Sequence, residues 1–319
     1  MAVYTHISAE ALERFLADYD VGALRSAKGI AEGVENSNYL VETETGRFIL
    51  TLYEKRVDLA DLPFFLDLKA HLSNQGLPVP RPIPDRTGTA LRTLAGRPAC
   101  LIEFLPGVSP DTPNPAQCEA VGRALGDLHR AAETFTGSRP NDLGLSGWRP
   151  LAERCGESLE TITPGLRAAI FAELDILERD WPTGLERSII HADLFPDNVL
   201  MLGDRVTGLI DFYFACTDIR AYDLAITHAS WVFDPDGARF HPDRSAALVK
   251  GYEAAHGLTP EERAALPLLA RGASMRFLLT RAWDWLNTPA DALVTRKDPL
   301  AFRRRLDFYR DHGAEAFAR

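Results

Sequence analysis

The spacing of apolar positions changes several times along the first hundred residues, and each change predicts an element. Leu12, Phe15, Leu16 and Tyr19 recur at helical spacing behind Ser8, a residue suited to cap a helix. A segment of glycines and small polar residues, Ala27 to Asn38, then lies between two strand-like stretches, the second being Tyr39 to Glu42. Thr43 to Gly46 predicts a turn into another strand, Arg47 to Tyr53. Helical spacing returns with Phe64, Phe65, Leu68 and Leu72, opened by Asp61-Leu62-Pro63 and closed by Gly76. Pro78, Pro80, Pro82 and Pro84 enforce an extended crossing. Two more strands follow, Ala90 to Leu94 and Ala99 to Leu105. Residues 1–105 thus predict a small, mostly antiparallel sheet with one inserted helix.

Leu105-Pro106-Gly107, with Pro110, Pro113 and Pro115, marks a boundary and a plausible hinge. Beyond it the pattern is helical: Ala116 to Glu133, Pro164 to Trp181, Tyr222 to Phe233, Asp243 to His256, Glu261 to Ala270, Ala273 to Asn287 and Pro299 to Arg310. The main β signal there is a hairpin, Val199 to Leu202 and Val206 to Asp211, turning at Gly203-Asp204. No internal repeat or low-complexity tract interrupts the chain. The expected class is α+β: a β-rich unit over 1–105 and a larger, mainly helical unit over 106–319.

The 319 residues suffice for two packed units, and 46% hydrophobic with 25% charged side chains is an ordinary soluble composition. The net charge of −10 argues against nucleic acid or an anionic membrane as partner. It leaves a nucleotide open, because Mg²⁺ and a few local cations can neutralise phosphates. Cys100, Cys118, Cys155 and Cys216 show no C-x-x-C spacing and read as buried thiols in a reducing compartment. Met1 to Ser8 has no basic segment followed by an apolar run, and no stretch approaches the roughly 18 apolar residues of a membrane span. A cytoplasmic location is expected.

The candidate chemistry sits in His191-Ala192-Asp193-Leu194-Phe195-Pro196-Asp197-Asn198 and the hairpin that ends at Ile210-Asp211. The hairpin folds the chain back, so a carboxylate (Asp193), an amide (Asn198) and a second carboxylate (Asp211) can meet. Hard oxygen ligands with room for water suit Mg²⁺ carried by a nucleotide. Transfer of a phosphoryl group to an alcohol needs one carboxylate to orient the hydroxyl and others to hold the metal. The spacing H-x-D-x-x-x-x-N followed by I-D-F matches the protein-kinase catalytic loop and metal-binding aspartate, with Phe212-Tyr213 in place of Phe-Gly. The glycine-containing stretch before Tyr39 carries no G-x-G-x-x-G, and structural loop and phosphate cover are equally consistent with it. His191 is expected to brace the loop, Asp223 to cap a helix or brace the loop, and His129 to pack in the core. Trp231, Trp283 and Trp285 are expected mostly in the core.

These stretches, with Tyr222-Asp223-Leu224-Ala225, resemble the aminoglycoside phosphotransferase and choline kinase superfamily, and within it the homoserine kinases. Phe48 to Lys55, Leu62 to Leu66, Gly76 to Pro82, Glu103 to Gly107, Asp211 to Cys216 and Met275 to Arg281 extend the likeness over nearly the whole chain. The resemblance implies a protein-kinase-like bilobal fold, with a nucleotide-binding lobe over 1–105 and a catalytic and substrate-binding lobe over 106–319. It also implies ATP-dependent phosphorylation of the L-homoserine hydroxyl to O-phospho-L-homoserine, in threonine biosynthesis. By position it makes Asp193 the catalytic aspartate, Asn198 and Asp211 the Mg²⁺ ligands, and Glu103 and Leu105 the residues whose backbone meets adenine. Gly33, Asn36, Asn38 and Lys55 join the nucleotide-binding set. Thr51 stands where the family's third strand carries a lysine, leaving Lys55, Lys28 or another cation to serve the phosphates.

An amino-acid acceptor carries both charges. Arg276 and Arg281 are the candidates for its carboxylate, since a guanidinium fork matches a carboxylate, with Asp234 and Asp284 as weaker candidates for its ammonium. Two other readings remain: the same fold acting on an aminoglycoside, choline-like or methylthioribose acceptor, and a non-catalytic nucleotide-binding regulator.

Overall fold

The computed structural model describes residues 4–30, 36–54, 58–288 and 296–318. The chain divides into two compact units, Met1–Gly107 with Thr207–Tyr213, and Val108–Val206 with Phe214–Arg319.

In the first unit Ser8 caps α1 (Ala9–Leu16), its side chain accepting from the Ala11 N–H. The strands are β1 (Leu24–Gly29), β2 (Asn36–Thr43), β3 (Arg47–Tyr53), β4 (Pro82–Ile83), β5 (Leu91–Leu94) and β6 (Arg97–Glu103), with α2 (Leu62–Asn74) between β3 and β4. They form an antiparallel sheet ordered β1-β2-β3-β6-β4, with β5 also on β6. Strand alternation sends two sets of side chains to opposite faces. Val41, Leu50, Leu52, Ala99 and Leu101 join Leu12, Phe15 and Leu16 of α1 in one apolar core. On the other face Asn38 pairs with Thr51, and Thr51 with Cys100. The Asn38–Thr51 pair puts two polar side chains on that face.

β1 and β2 run further into the glycine-containing stretch than its composition predicts, since cross-strand pairing continues to Gly29↔Tyr39 and Asn36↔Tyr53. Polar residues enter a strand when the ladder and their side chains find partners, which local propensity cannot register.

The second unit holds α3 (Pro115–Ala132), α4 (Leu145–Cys155), α5 (Leu166–Asp180), β7 (Arg187–Ile190) and β8 (Val199–Leu202). β9 (Arg205–Leu209) pairs with β8, and the division between units falls within it. β10 (Cys216–Ile219), α6 (Arg220–Trp231), α7 (Pro242–Ala255), α8 (Pro260–Asn287) and α9 (Leu300–Ala316) complete it. Three features depart from the sequence reading. α4 went unread because Pro150 lies inside it. β7 and β10 pair antiparallel, Ile190↔Cys216 to Arg187↔Ile219, a contact between segments too short and too far apart to read locally. The two helices expected around residues 261–287 are one, α8, of 28 residues, running through Pro267 and Gly272. Gly272 is there for packing: a Cβ would stand 2.3 Å from the Trp181 ring.

Candidate active site

β7 delivers the chain to His191, and the extended backbone ends at Ala192, whose φ is +63°. For a residue with a Cβ this left-handed conformation costs about 1–2 kcal/mol. The neighbouring peptide groups are gripped from the helices. The buried Asp223 carboxylate, in the first turn of α6, accepts from the His191 N–H (2.7 Å, Oδ2) and the Ala192 N–H (2.8 Å, Oδ1). His129 of α3 holds that carboxylate in turn, Nε2 to Oδ2 at 3.1 Å, and its Nδ1 lies 2.9 Å from the Tyr252 hydroxyl of α7. Burial alone would raise the Asp223 pKa, but the hydrogen bond and charge of His129 and the charge of His191 outweigh it and hold Asp223 below its ordinary value. The expected roles of Asp223 in bracing the loop and of His129 in the core both match this geometry.

The remaining loop carbonyls are tied as well. Ala192 C=O accepts from Arg276 Nη1 of α8. Asp193 C=O accepts from the Phe195 N–H (2.8 Å) and from Asn198 Nδ2 (2.8 Å). Leu194 C=O accepts from Trp231 Nε1 at 2.8 Å. Asn198 Nδ2 also reaches the Asp193 carboxylate, 3.1 Å to Oδ2, so the amide nitrogen is committed to Asp193. Its Oδ1 is the atom with the chemistry to face a hard cation. Asp193 itself is half-buried.

Arg281 of α8 lies close by. Its guanidinium stacks on the Phe302 ring, 4.5 Å to the centroid, and among the described residues no carboxylate forms an ion pair with it. Burial pushes its pKa down to about 10, opposed by the charges of Asp197, Asp193 and Asp298. Phe195 packs on Phe277 (4.8 Å) and Phe302 (6.0 Å), and Lys297 Nζ lies 3.4 Å from Asp197 Oδ2. A largely buried cation on an aromatic floor, in the field of Asp193, is suited to bind an anionic group.

Arg276 corrects the sequence reading. It is 1% exposed and stacked against Phe214 and Phe277, and its Nη1 donates to the Ala192 carbonyl, a setting inside the core in place of the open carboxylate subsite expected of it. Asp234 lies with its carboxylate 2.7 Å from His241 Nε2, and that hydrogen bond holds it below its ordinary pKa. Trp231 is buried as expected, whereas Trp283 and Trp285 are half-buried beneath Arg154 and Arg296.

In the first unit, Asp211 is exposed and also left-handed, φ +65°. The residues after it anchor it: Phe212 is buried, and the Tyr213 ring meets Tyr53 (5.9 Å, 86°) and Phe65 (5.7 Å, 87°) edge to face. Thr51 donates to Asn38 Oδ1 (2.8 Å), and Asn36 Oδ1 accepts from the Glu54 N–H (3.3 Å), so both asparagines serve the sheet from within β2. Gly33 and Lys55 lie outside the described residues. Lys28 is exposed on β1. The Glu103 N–H donates to Arg81 C=O (2.9 Å), while Leu105 makes no backbone hydrogen bond with the described residues.

Sequence reasoning missed Lys69. It is a basic residue within the apolar stripe of α2, 4% exposed, with its ammonium 5.8 Å from the Tyr213 ring centre. Burial lowers its pKa, and the charges of Cys100 and Asp211 oppose that. The signal was present: a lysine between Phe65 and Leu72 at helical spacing breaks an otherwise apolar face. Among the described residues no group of three or more His, Cys, Asp or Glu forms a metal cage, and no helix is long and apolar enough to cross a membrane.

Residues 26–266 match the phosphotransferase enzyme family. Solved structures share the fold at low identity. The amicoumacin kinase hAmiN, in complex with AMP-PNP, Ca²⁺ and its ligand Ami, superposes with a TM-score of 0.70 at 18% identity over 96% of this chain and 94% of that one. Spectinomycin phosphotransferase, with ADP and spectinomycin, gives 0.72 at 15% identity over 98% and 100%. The chain belongs to the phosphotransferase enzyme family. Within it, the chain is 56% identical over 310 residues to the homoserine kinase of Methylorubrum populi, covering 97% of this chain and 96% of that protein. It is 54% identical over 318 residues to the homoserine kinase of Zymomonas mobilis, covering 99% of each.

Proposed function

We propose that this protein transfers the γ-phosphoryl group of ATP to the side-chain hydroxyl of L-homoserine, giving O-phospho-L-homoserine and ADP. The observation that carries the reading is the loop at Asp193: a half-buried carboxylate, fixed by Asn198 and by a backbone tied on every side, with a guanidinium free of ion-paired carboxylates among the described residues in its field. Full-length identity above one half with homoserine kinases supports the choice of acceptor.

Asp193 accepts a hydrogen bond from the homoserine hydroxyl and aims its oxygen at the γ-phosphorus. In a loose transition state positioning matters more than full removal of the proton. Arg281 receives the homoserine carboxylate. Asn198 Oδ1 and the Asp211 carboxylate are the assigned Mg²⁺ ligands, on motif spacing and donor chemistry. When bound, Mg²⁺ neutralises phosphate charge on the nucleotide. Leu105, with its backbone groups uncommitted among the described residues, meets the adenine edge. Glu103 can offer its carbonyl, its N–H being used by Arg81.

Purified protein is incubated with Mg-ATP and, separately, L-homoserine, choline, methylthioribose or an aminoglycoside. ADP release with homoserine at least about tenfold faster than with the others, and a phosphomonoester by ³¹P NMR, is expected. Good turnover of another alcohol alone would replace the acceptor, and Mg-ATP binding with no transfer would leave a regulator. Arg281→Met should raise KM for homoserine about 10–100-fold with KM for ATP nearly constant, the size of losing one charge-assisted contact or two.

A further inference from the structure

Arg276 is a buried cation whose location has no evident use in binding. Its guanidinium is enclosed by Phe214 (5.5 Å to the ring centre) and Phe277 (4.6 Å), its Nε has no hydrogen-bond partner, and no carboxylate within ion-pair distance is recorded among the described residues. Enclosing a charge this way is costly unless its hydrogen bonds are well spent. Its Nη1 donates to the carbonyl of Ala192 at 2.5 Å, and its charge also faces the buried Tyr222 hydroxyl. That residue is the strained one, at φ +63°, directly before Asp193.

The chemistry around Ala192 is two-sided. Its N–H belongs to the peptide before its Cα and is held by the Asp223 anion at 2.8 Å. Its C=O belongs to the peptide after its Cα and is held by the Arg276 cation. Two peptide planes fixed on either side of one Cα determine both of its torsions. Charge-assisted bonds are about twice as strong as neutral ones, enough to offset the roughly 1–2 kcal/mol that alanine loses in the left-handed region. The Asp223 end is anchored further by His129 and Tyr252, whereas the Arg276 end stands on α8, which also carries Arg281.

We propose that Arg276 is a positioning residue for Asp193: with Asp223 it forms an anion–cation clamp on the peptide groups flanking Ala192, and the clamp sustains the left-handed turn that aims the reactive carboxylate. α8 then serves the acceptor twice, through Arg281 by contact and through Arg276 by orientation. This rests on the role given to Asp193 above.

The test is a coupling cycle between residues 276 and 192. Glycine adopts the left-handed region without strain, so a loop carrying Ala192→Gly depends less on the clamp. Arg276→Met should lower kcat about 10²-fold, the scale of a misplacement near 1 Å, with KM for homoserine changed less than about threefold. In the Ala192→Gly background the same substitution should cost at most about tenfold. Hydrogen exchange of the peptide over residues 190–198 gives a readout that needs no turnover: protection should fall in Arg276→Met, and fall less when Ala192→Gly is also present. If Arg276→Met does not fold, Arg276→Lys is read through the same cycle. Equal losses in both backgrounds with equal loss of exchange protection would overturn the clamp. A raised KM for homoserine at constant kcat would instead return Arg276 to substrate binding. Failure of the wild-type protein to phosphorylate homoserine would sink the functional reading alone, because the exchange measurement still tests the clamp.

Discussion

Among the described residues, two non-glycine residues at the candidate site sit in the left-handed region, one beside a polar clamp and one beside an aromatic cluster. At Ala192 the support is polar: Asp223, Arg276 and Trp231 from the helices and Asn198 from the loop itself bond the backbone from 192 to 194 or its neighbours. Beside Asp211, buried Phe212 and the edge-to-face contacts of Tyr213 with Tyr53 and Phe65 add an aromatic anchor in the first unit. Hydrogen bonds are directional and fix torsions, whereas aromatic packing fixes position with more tolerance in angle. The carboxylate that must aim at a hydroxyl is held by the stricter device. The carboxylate assigned to a solvated metal ion has the more permissive one beside it.

The comparison is broken most severely at the carboxylates themselves. Asp193→Ala should lower kcat about 10²-fold or more with little change in the dissociation constant for Mg-ATP. Asp211→Ala should lose the Mg²⁺-dependent part of nucleotide binding as well, measured by calorimetry with and without Mg²⁺. Near-full activity in Asp193→Ala would end the role given to it. The supports come next. Phe65→Ala removes a buried ring from beneath Tyr213 and should cost about 3–5 kcal/mol by denaturant unfolding, while Asp223→Asn should act on kcat more than on stability. If Phe65→Ala left stability untouched, the apolar account of the Asp211 segment would fail.

A smaller effect is expected at Lys69. Replacing a buried ammonium that has no ion-paired carboxylate among the described residues removes a desolvation cost. Lys69→Met should therefore raise Tm by a few degrees while weakening Mg-ATP binding several-fold, because a positive charge beside Asp211 and the Thr51 ladder is lost. A lower Tm would show that the ammonium stabilises the fold.

Stability also depends on pH, through a buried histidine of α6. His228 lies between Tyr309 and Ser245, and burial pushes its pKa down to about 3. In the unfolded chain it titrates near 6.5. Between those values the unfolded chain binds a proton that the folded protein refuses, so stability falls as pH drops from about 6.5 toward 3. His228→Gln should flatten Tm against pH in that window, and an unchanged slope would assign the acid sensitivity elsewhere.

The elements and the chemistry of the loop were largely legible. Helical spacing marked α1, α2, α3, α5, α6, α7 and α9, and H-x-D-x-x-x-x-N placed Asp193 and Asn198 in one loop, where a hydrogen bond joins them. These signals are local: they depend on periodicity and on neighbours a few residues apart. The errors arose where distant partners decided. The β7–β10 pair needs residues nearly thirty apart, α8 continues through Gly272, where Trp181 packs, and Asn36 and Asn38 are strand residues whose side chains meet Glu54 and Thr51 across the sheet.

The arginines draw the line most clearly. Composition and spacing established that α8 carries two guanidiniums suited to a carboxylate. Only packing separated them, burying Arg276 against the backbone before Asp193 and leaving Arg281 on Phe302 without an ion-paired carboxylate among the described residues. Sequence specifies which charges are present and on which element, because those depend on residue type and period. Which of them meets a ligand is decided by the burial and the hydrogen-bond partners that other helices impose.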